Sequence, residues 1–225
     1  MSARNRLLSH AALAASLTLA VQGLACSSPH PAGTIARVSD EAIEFSAVVN
    51  RTAFEKPSDL AGYHLIVWRG GSSAAATLFR AEVTDVQVLD ALESLGAAPG
   101  NALDIDTWDN RYEPQSHEPD RVIEGPRVAI SVRVPGRERP LTLEEILTDP
   151  GSRGFDMRFG GHRDNIARWH SGCIVCLYSC PGSKVGNARY TVRDFVAGST
   201  RFGVRPDVLP EDGTEVTIRI SLVEP

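Results

Sequence analysis

The chain has 225 residues, 42% of them hydrophobic and 23% charged, with a net charge of -5. That balance excludes disorder as the default state and leaves room for one substantial domain. An acidic total with no basic stripe argues against a nucleic-acid partner.

The first 25 residues read as a secretory signal. Arg4 and Arg6 form a short basic region, Leu7 to Leu24 is mostly apolar and Ala-rich, and Ala25 precedes Cys26. Arg4 and Arg6 are not adjacent, so the pair is no twin-arginine signal. Cys26, after a small residue and before Ser27 and Ser28, reads as a lipid attachment site that would tether the domain to a membrane in the periplasm or at the cell surface. The alternative is simple cleavage near Ala25 and a soluble periplasmic protein. Residues 26–33 form a Ser- and Pro-containing linker, and residues 34–225 form the domain.

Strand patterns open the domain. Ala42 to Val49 alternates, with Ile43, Phe45 and Val49 on one side. Tyr63 to Trp68 is a short apolar run, Gly70 and Gly71 mark a turn, and Ala76 to Val83 is expected as its antiparallel partner. Thr84 to Leu95 reads as a helix. Thr84 and Gln87 have capping-box spacing, Val86, Val88, Leu89, Leu92 and Leu95 supply the apolar side, and Gly96 is the stop. Ala97 to Pro126 is irregular and acidic, and its Asp104, Asp106 and Asp109 do not meet a calcium-loop spacing.

Arg127 to Val134 alternates as a half-buried strand. Thr142 and Glu145 open a second, short helix that ends before Pro150. Phe155 to Phe159, Ala188 to Val196 and Glu215 to Val223 are further strand candidates. These elements predict an α+β fold: a single domain of mainly antiparallel strands with two short helices, following the signal segment.

The chemistry concentrates in Gly172 to Asn187. Cys173, Cys176 and Cys180 stand in the spacing C-x2-C-x3-C-P, with Pro181 after the last. Thiolates are soft ligands, and three within eight residues can converge on one metal or form disulfides. In a straight strand Cys176 and Cys180 would share a face and Cys173 would point away. A loop or irregular turns are therefore expected here. The spacing matches the last three cysteines of the bacterial ferredoxin run, whose first cysteine is replaced by His170. His170, or less favourably His162, could supply a nitrogen ligand, whereas His64 and His117 have no identifiable partner.

Several stretches together carry a resemblance: AVVNRTAFEKP, ALESLGAAPGNAL, FDMRFGGHRDN, GCIVCLYSCPGSKVGNARY and LPEDGTEV. Through them the chain, from Ile43 to Ile220, resembles the YdjY-domain proteins, exported bacterial proteins labelled ferredoxin-like lipoproteins. The resemblance implies export. It implies iron-sulfur binding only through the same cysteine spacing.

Three readings of the cysteines follow. One is a metal or iron-sulfur site, a ferredoxin-like electron-transfer module with its own redox partner, using Cys173, Cys176, Cys180 and His170. Another is a periplasmic copper or zinc site on the same residues. The last is a surface-anchored structural domain with a disulfide-stapled loop. The chain has no nucleophile elbow, phosphate loop or dinucleotide fingerprint, so an enzyme is not expected.

Overall fold

A computed structural model describes residues 33–112, 120–198 and 200–224. The signal segment, Cys26, nearly all of the linker and His117 lie outside the described residues. Among the described residues no helix is long and apolar enough to cross a membrane.

In chain order the strands are β1 (Ala36–Ser39), β2 (Ala42–Val49), β3 (His64–Trp68), β4 (Thr77–Ala81), β5 (Val128–Arg133), β6 (Leu141–Thr142), β7 (Leu147–Thr148), β8 (Met157–Phe159), β9 (Cys173–Cys176), β10 (Val185–Asn187), β11 (Gly203–Val204) and β12 (Glu215–Leu222). The α-helices are α1 (Arg51–Glu55), α2 (Asp85–Ser94), α3 (Ile105–Asp109), α4 (Leu143–Ile146), α5 (Arg163–Trp169) and α6 (Val192–Ala197). Ten strands join one sheet in the order β6-β5-β12-β2-β4-β3-β9-β10-β8, with β1 paired to β2 off this path; β7 and β11 form a separate pair.

This corrects the expected fold class. The domain is mostly β, a curled sheet with about 23% helix, and its helices number six among the described residues. Nor is the sheet simply antiparallel: β3 pairs parallel with β4, and β9 parallel with β10. The expected hairpin across Gly70 and Gly71 is instead a return connection through a 3-10 turn at Ala74–Ala76. Ala188 to Val196 is also corrected. Thr191 caps α6, accepting the Asp194 N–H while the Asp194 carboxylate accepts the Thr191 N–H. An Asp at the third helical position completes this box, and strand-like apolar residues around it obscure the signal.

Other readings match the coordinates. β2 covers Ala42–Val49, with Ile43, Phe45, Ala47 and Val49 buried. Thr84 and Gln87 form their capping box on α2, and Val88, Leu89 and Leu92 face the core, although Val86 is exposed. The Glu145 carboxylate accepts the Thr142 N–H at the start of α4.

Two features hold the cysteine strand. First, β9 lies between β3 and β10, so its backbone is bonded on both sides. At its start the chain passes very close to the Gly70-Gly71 connection. Trp68 N–H donates to Gly172 O, Ser72 N–H to His170 O and Ser73 N–H to Ser171 O. A Cβ on Gly71 would sit 2.3 Å from Ser171 O, and one on Gly172 would sit 2.7 Å from Gly71 Cα. Gly172 also has φ +67°, which side chains resist. Second, α2 is tied to the turn after the cysteines by a buried ion pair: Lys184 Nζ lies 3.2 Å from Asp85 Oδ2 and donates to Gly182 O. Lys184 is 1% exposed.

Gly172→Ala should lose about 1–3 kcal/mol from the left-handed backbone alone, and more from displacing Gly71; a denaturation midpoint equal to that of the parent would show that the crossing tolerates a side chain. Asp85→Asn should lower stability by about 3–5 kcal/mol, because it leaves a buried ammonium without its partner. Adding Lys184→Met to that variant should restore much of the loss, and failure to do so would mean that Asp85 acts through the cap of α2.

Candidate metal centre

The cysteine stretch is a strand, not the expected loop, and its geometry depends on irregular pairing with β3. Opposite residues are Val67 and Cys173, Ile66 and Val175, and His64 and Cys176, with register shifts between successive pairs. Ile174 is therefore an extra residue on β9, and Leu65 an extra residue on β3. A bulge of this kind re-aims side chains. It lets Cys173 and Cys176, an offset of three that would put them on opposite faces of a regular strand, reach the same side.

That side also receives His64. Its Nδ1 lies 3.3 Å from Cys173 Sγ and 3.4 Å from Cys176 Sγ, and the two sulfurs are 2.7 Å apart. All three ligand atoms are buried and lie within 4.8 Å of one another, so this group could hold a metal ion. The three described cysteines are free of disulfide bonds. The sulfurs are nearer than unbonded contact but well beyond a disulfide length of about 2.05 Å. Seating a tetrahedral ion with metal–sulfur bonds of about 2.3 Å would separate them to about 3.8 Å, a local opening of the pair.

Cys180 lies past the end of β9, in a turn closed by Ser183 N–H and Ser183 Oγ, both donating to Cys180 O. Its sulfur accepts the Gly182 N–H at 3.4 Å. Cys180 does not belong to the tight three-atom group. It sits instead, with the buried Tyr63, His64 and Cys173, along a cavity of about 210 Å³ whose lining also includes Leu60, Trp108 and Trp169.

The electrostatics separate the thiols. A hydrogen bond from Cys176 is the largest effect on Cys180 and outweighs burial; Tyr63, the Gly182 N–H and Lys184 add to it, and the thiol is pulled down to about 7. Burial pushes the Cys173 thiol up and the Cys176 thiol well up. Burial also lowers His64 to about 4, so its imidazole is neutral at pH 7 and free to ligate. The Tyr63 hydroxyl is buried with no hydrogen bond of normal geometry, and burial followed by the charge of Cys180 raises its pKa well above the ordinary value.

Of the ligands expected from sequence, Cys173 and Cys176 are brought together and Cys180 is close by. His170 is not in the group: it is exposed, takes a left-handed conformation with φ 48° and ends α5. His162 precedes α5 and its Nδ1 is buried without a partner. The candidate ligand that the sequence reading missed is His64, 109 residues before Cys173. One signal was present: a histidine at the start of an otherwise apolar strand run.

The titration of His64 has a testable consequence. Its folded value lies below the unfolded value of about 6.5, so between the two the unfolded chain binds more protons and stability rises with pH. The metal-free protein should lose on the order of a few kcal/mol as pH falls from about 6.5 through about 4. His64→Gln should flatten that limb of a urea-denaturation series; an unchanged slope would assign acid sensitivity to other groups.

The YdjY domain matches residues 38–221. The uncharacterized protein YdjY of Escherichia coli strain K12 is 30% identical over 162 residues, covering 72% of this chain and 68% of the relative. No solved structure matches. The match runs through β2, β3 and β9, so the strands that carry His64 and the cysteines lie within the shared domain, and the chain belongs to the YdjY domain family.

Proposed function

We propose that this protein is a metal-binding module that holds one soft ion, of the copper(I) or zinc class, on His64, Cys173 and Cys176. The observation that carries the reading is the buried convergence of one imidazole and two thiols, with His64 and Cys173 also lining a cavity. Thiolate and imidazole donors together suit copper(I) and zinc. Structural zinc sites are closed by four protein ligands, whereas here three converge and two of them, His64 and Cys173, line a cavity, so a fourth position would be open on that side. Cys180 stands near enough to Cys176 to serve as an additional ligand after a local shift of its turn.

Ferredoxin-like electron transfer is the second reading. It is favoured by the Gly182 N–H on the Cys180 sulfur, a type of bond that tunes iron-sulfur centres. It ranks second because a four-iron cube holds its cysteines at separate corners, and Cys173 and Cys176 are in contact. Export and a lipid anchor at Cys26 rest on residues 4–26 and complete the proposal: a metal-binding domain outside the cytoplasm, with no catalytic role assigned.

Metal analysis of protein purified without oxygen tests the reading. One copper or zinc per chain without inorganic sulfide is expected. Cys173→Ser and His64→Ala should each weaken binding by more than the roughly 10–100-fold typical of losing an outer-shell partner, and His170→Ala should bind as the parent does. Iron and sulfide in equal amounts would replace this reading with the electron-transfer one. A metal-free chain with one disulfide by mass would overturn both.

A further inference from the structure

The cavity above the cysteines offers more than access to the ion. Its buried floor consists of Tyr63, His64, Cys173 and Cys180, and its walls include the partly exposed Leu60, Trp108 and Trp169. The two tryptophan rings stand 6.3 Å apart at 59°. Trp108 is held from one side by the Arg111 guanidinium, 4.1 Å above its ring, and packs edge-on to Tyr63. The floor also carries the Tyr63 hydroxyl, on a fully buried side chain, which lies beside Cys180 and among the described residues makes no hydrogen bond of normal geometry. Buried polar groups of this kind are normally paired.

These features select a ligand. The donor must be soft, to match an ion held by thiolates. It must be neutral, because the floor already carries thiols and the one buried ammonium, Lys184, is paired with Asp85. Its body must be apolar, to lie against two indole rings, which make favourable contacts with sulfur. Its donor atom must keep a lone pair for the Tyr63 hydroxyl. A thioether meets all four conditions. Resting on the metal-binding reading above, we infer that the cavity admits a thioether, on a small dialkyl sulfide or on a methionine side chain, as the exchangeable ligand of the ion.

The test uses the full domain loaded with cadmium, a soft stand-in whose magnetic resonance reports its ligands. Dimethyl sulfide should move the cadmium resonance saturably and change tryptophan fluorescence. Trp169→Ala and Trp108→Ala should each weaken that response roughly tenfold while leaving the sulfide-free resonance in place. Tyr63→Phe should weaken it without altering cadmium uptake. If N-acetylmethionine amide competes, the source is a methionine side chain; if it is excluded while dimethyl sulfide binds, the source is a small sulfide. Cadmium bound with no response to sulfide, or an equal response to chloride, would overturn the thioether assignment and leave the metal site standing. Failure to take up cadmium would overturn both.

Discussion

The site depends on one backbone constraint, the bulged pairing of β3 with β9 beside the Gly71 and Gly172 crossing. Side chains on a strand alternate with a period of two, so a one-residue shift sends a side chain to the opposite face. Extra residues at Leu65 and Ile174 break that alternation where His64, Cys173 and Cys176 need to meet. The crossing fixes where β9 begins, because no side chain fits between the two glycine backbones. Without this close approach the hydrogen bonds from Trp68, Ser72 and Ser73 to the segment entering β9 could not all form.

Packing and chemistry share residues here. Tyr63 stacks on Tyr178 with ring centroids 5.1 Å apart and meets Phe195 edge-on, so it belongs to the aromatic core. It is also the floor of the cavity beside Cys180. Tyr178 is anchored by its hydroxyl to Thr200 O, and Phe202 packs between Tyr178 and Tyr190. Tyr63, Tyr178 and Tyr190 are fully buried in this cluster, and Tyr63 also lines the tryptophan-walled cavity. Low dielectric on the packed side raises the cost of an unpaired charge. Lys184 with Asp85, and thiols with a neutral imidazole, are arrangements that limit such charge.

Much of the fold was legible because its signals are local. Alternation marked β2, β5 and β12, and the Thr84 and Thr142 caps marked α2 and α4. The parallel pairing of β3 with β4 was not legible, since Gly70-Gly71 is compatible with either a hairpin or a return connection. α6 was hidden by β-branched and aromatic residues that fit a strand pattern equally well. At the site, the cysteines announced themselves by spacing, whereas the histidine did not. His170 is near in sequence yet exposed, and His64 is distant in sequence yet opposite Cys176. A spacing rule ranks candidates by chain distance, but a sheet brings ligands together by register, and register here includes two bulges that no local pattern reveals.

Secondary structure also limits what the cysteine spacing can mean. C-x2-C-x3-C-P in a loop can wrap around a cluster, because a loop can spread its sulfurs and turn backbone N–H groups toward them. Here Cys173 and Cys176 lie on a strand bonded on both flanks, and only Cys180 lies in a turn. Spreading the first two sulfurs to the corners of a four-iron cube would strain the ladders to β3 and β10. Opening them by about an ångström to seat one ion requires only side-chain and small backbone adjustment at the bulge, given metal–sulfur bonds of about 2.3 Å. It is the secondary structure that carries the motif, more than the motif itself, on which the proposal of a mononuclear site rests. Under that proposal Cys180, in the turn past the end of β9, is the sulfur that no ladder holds.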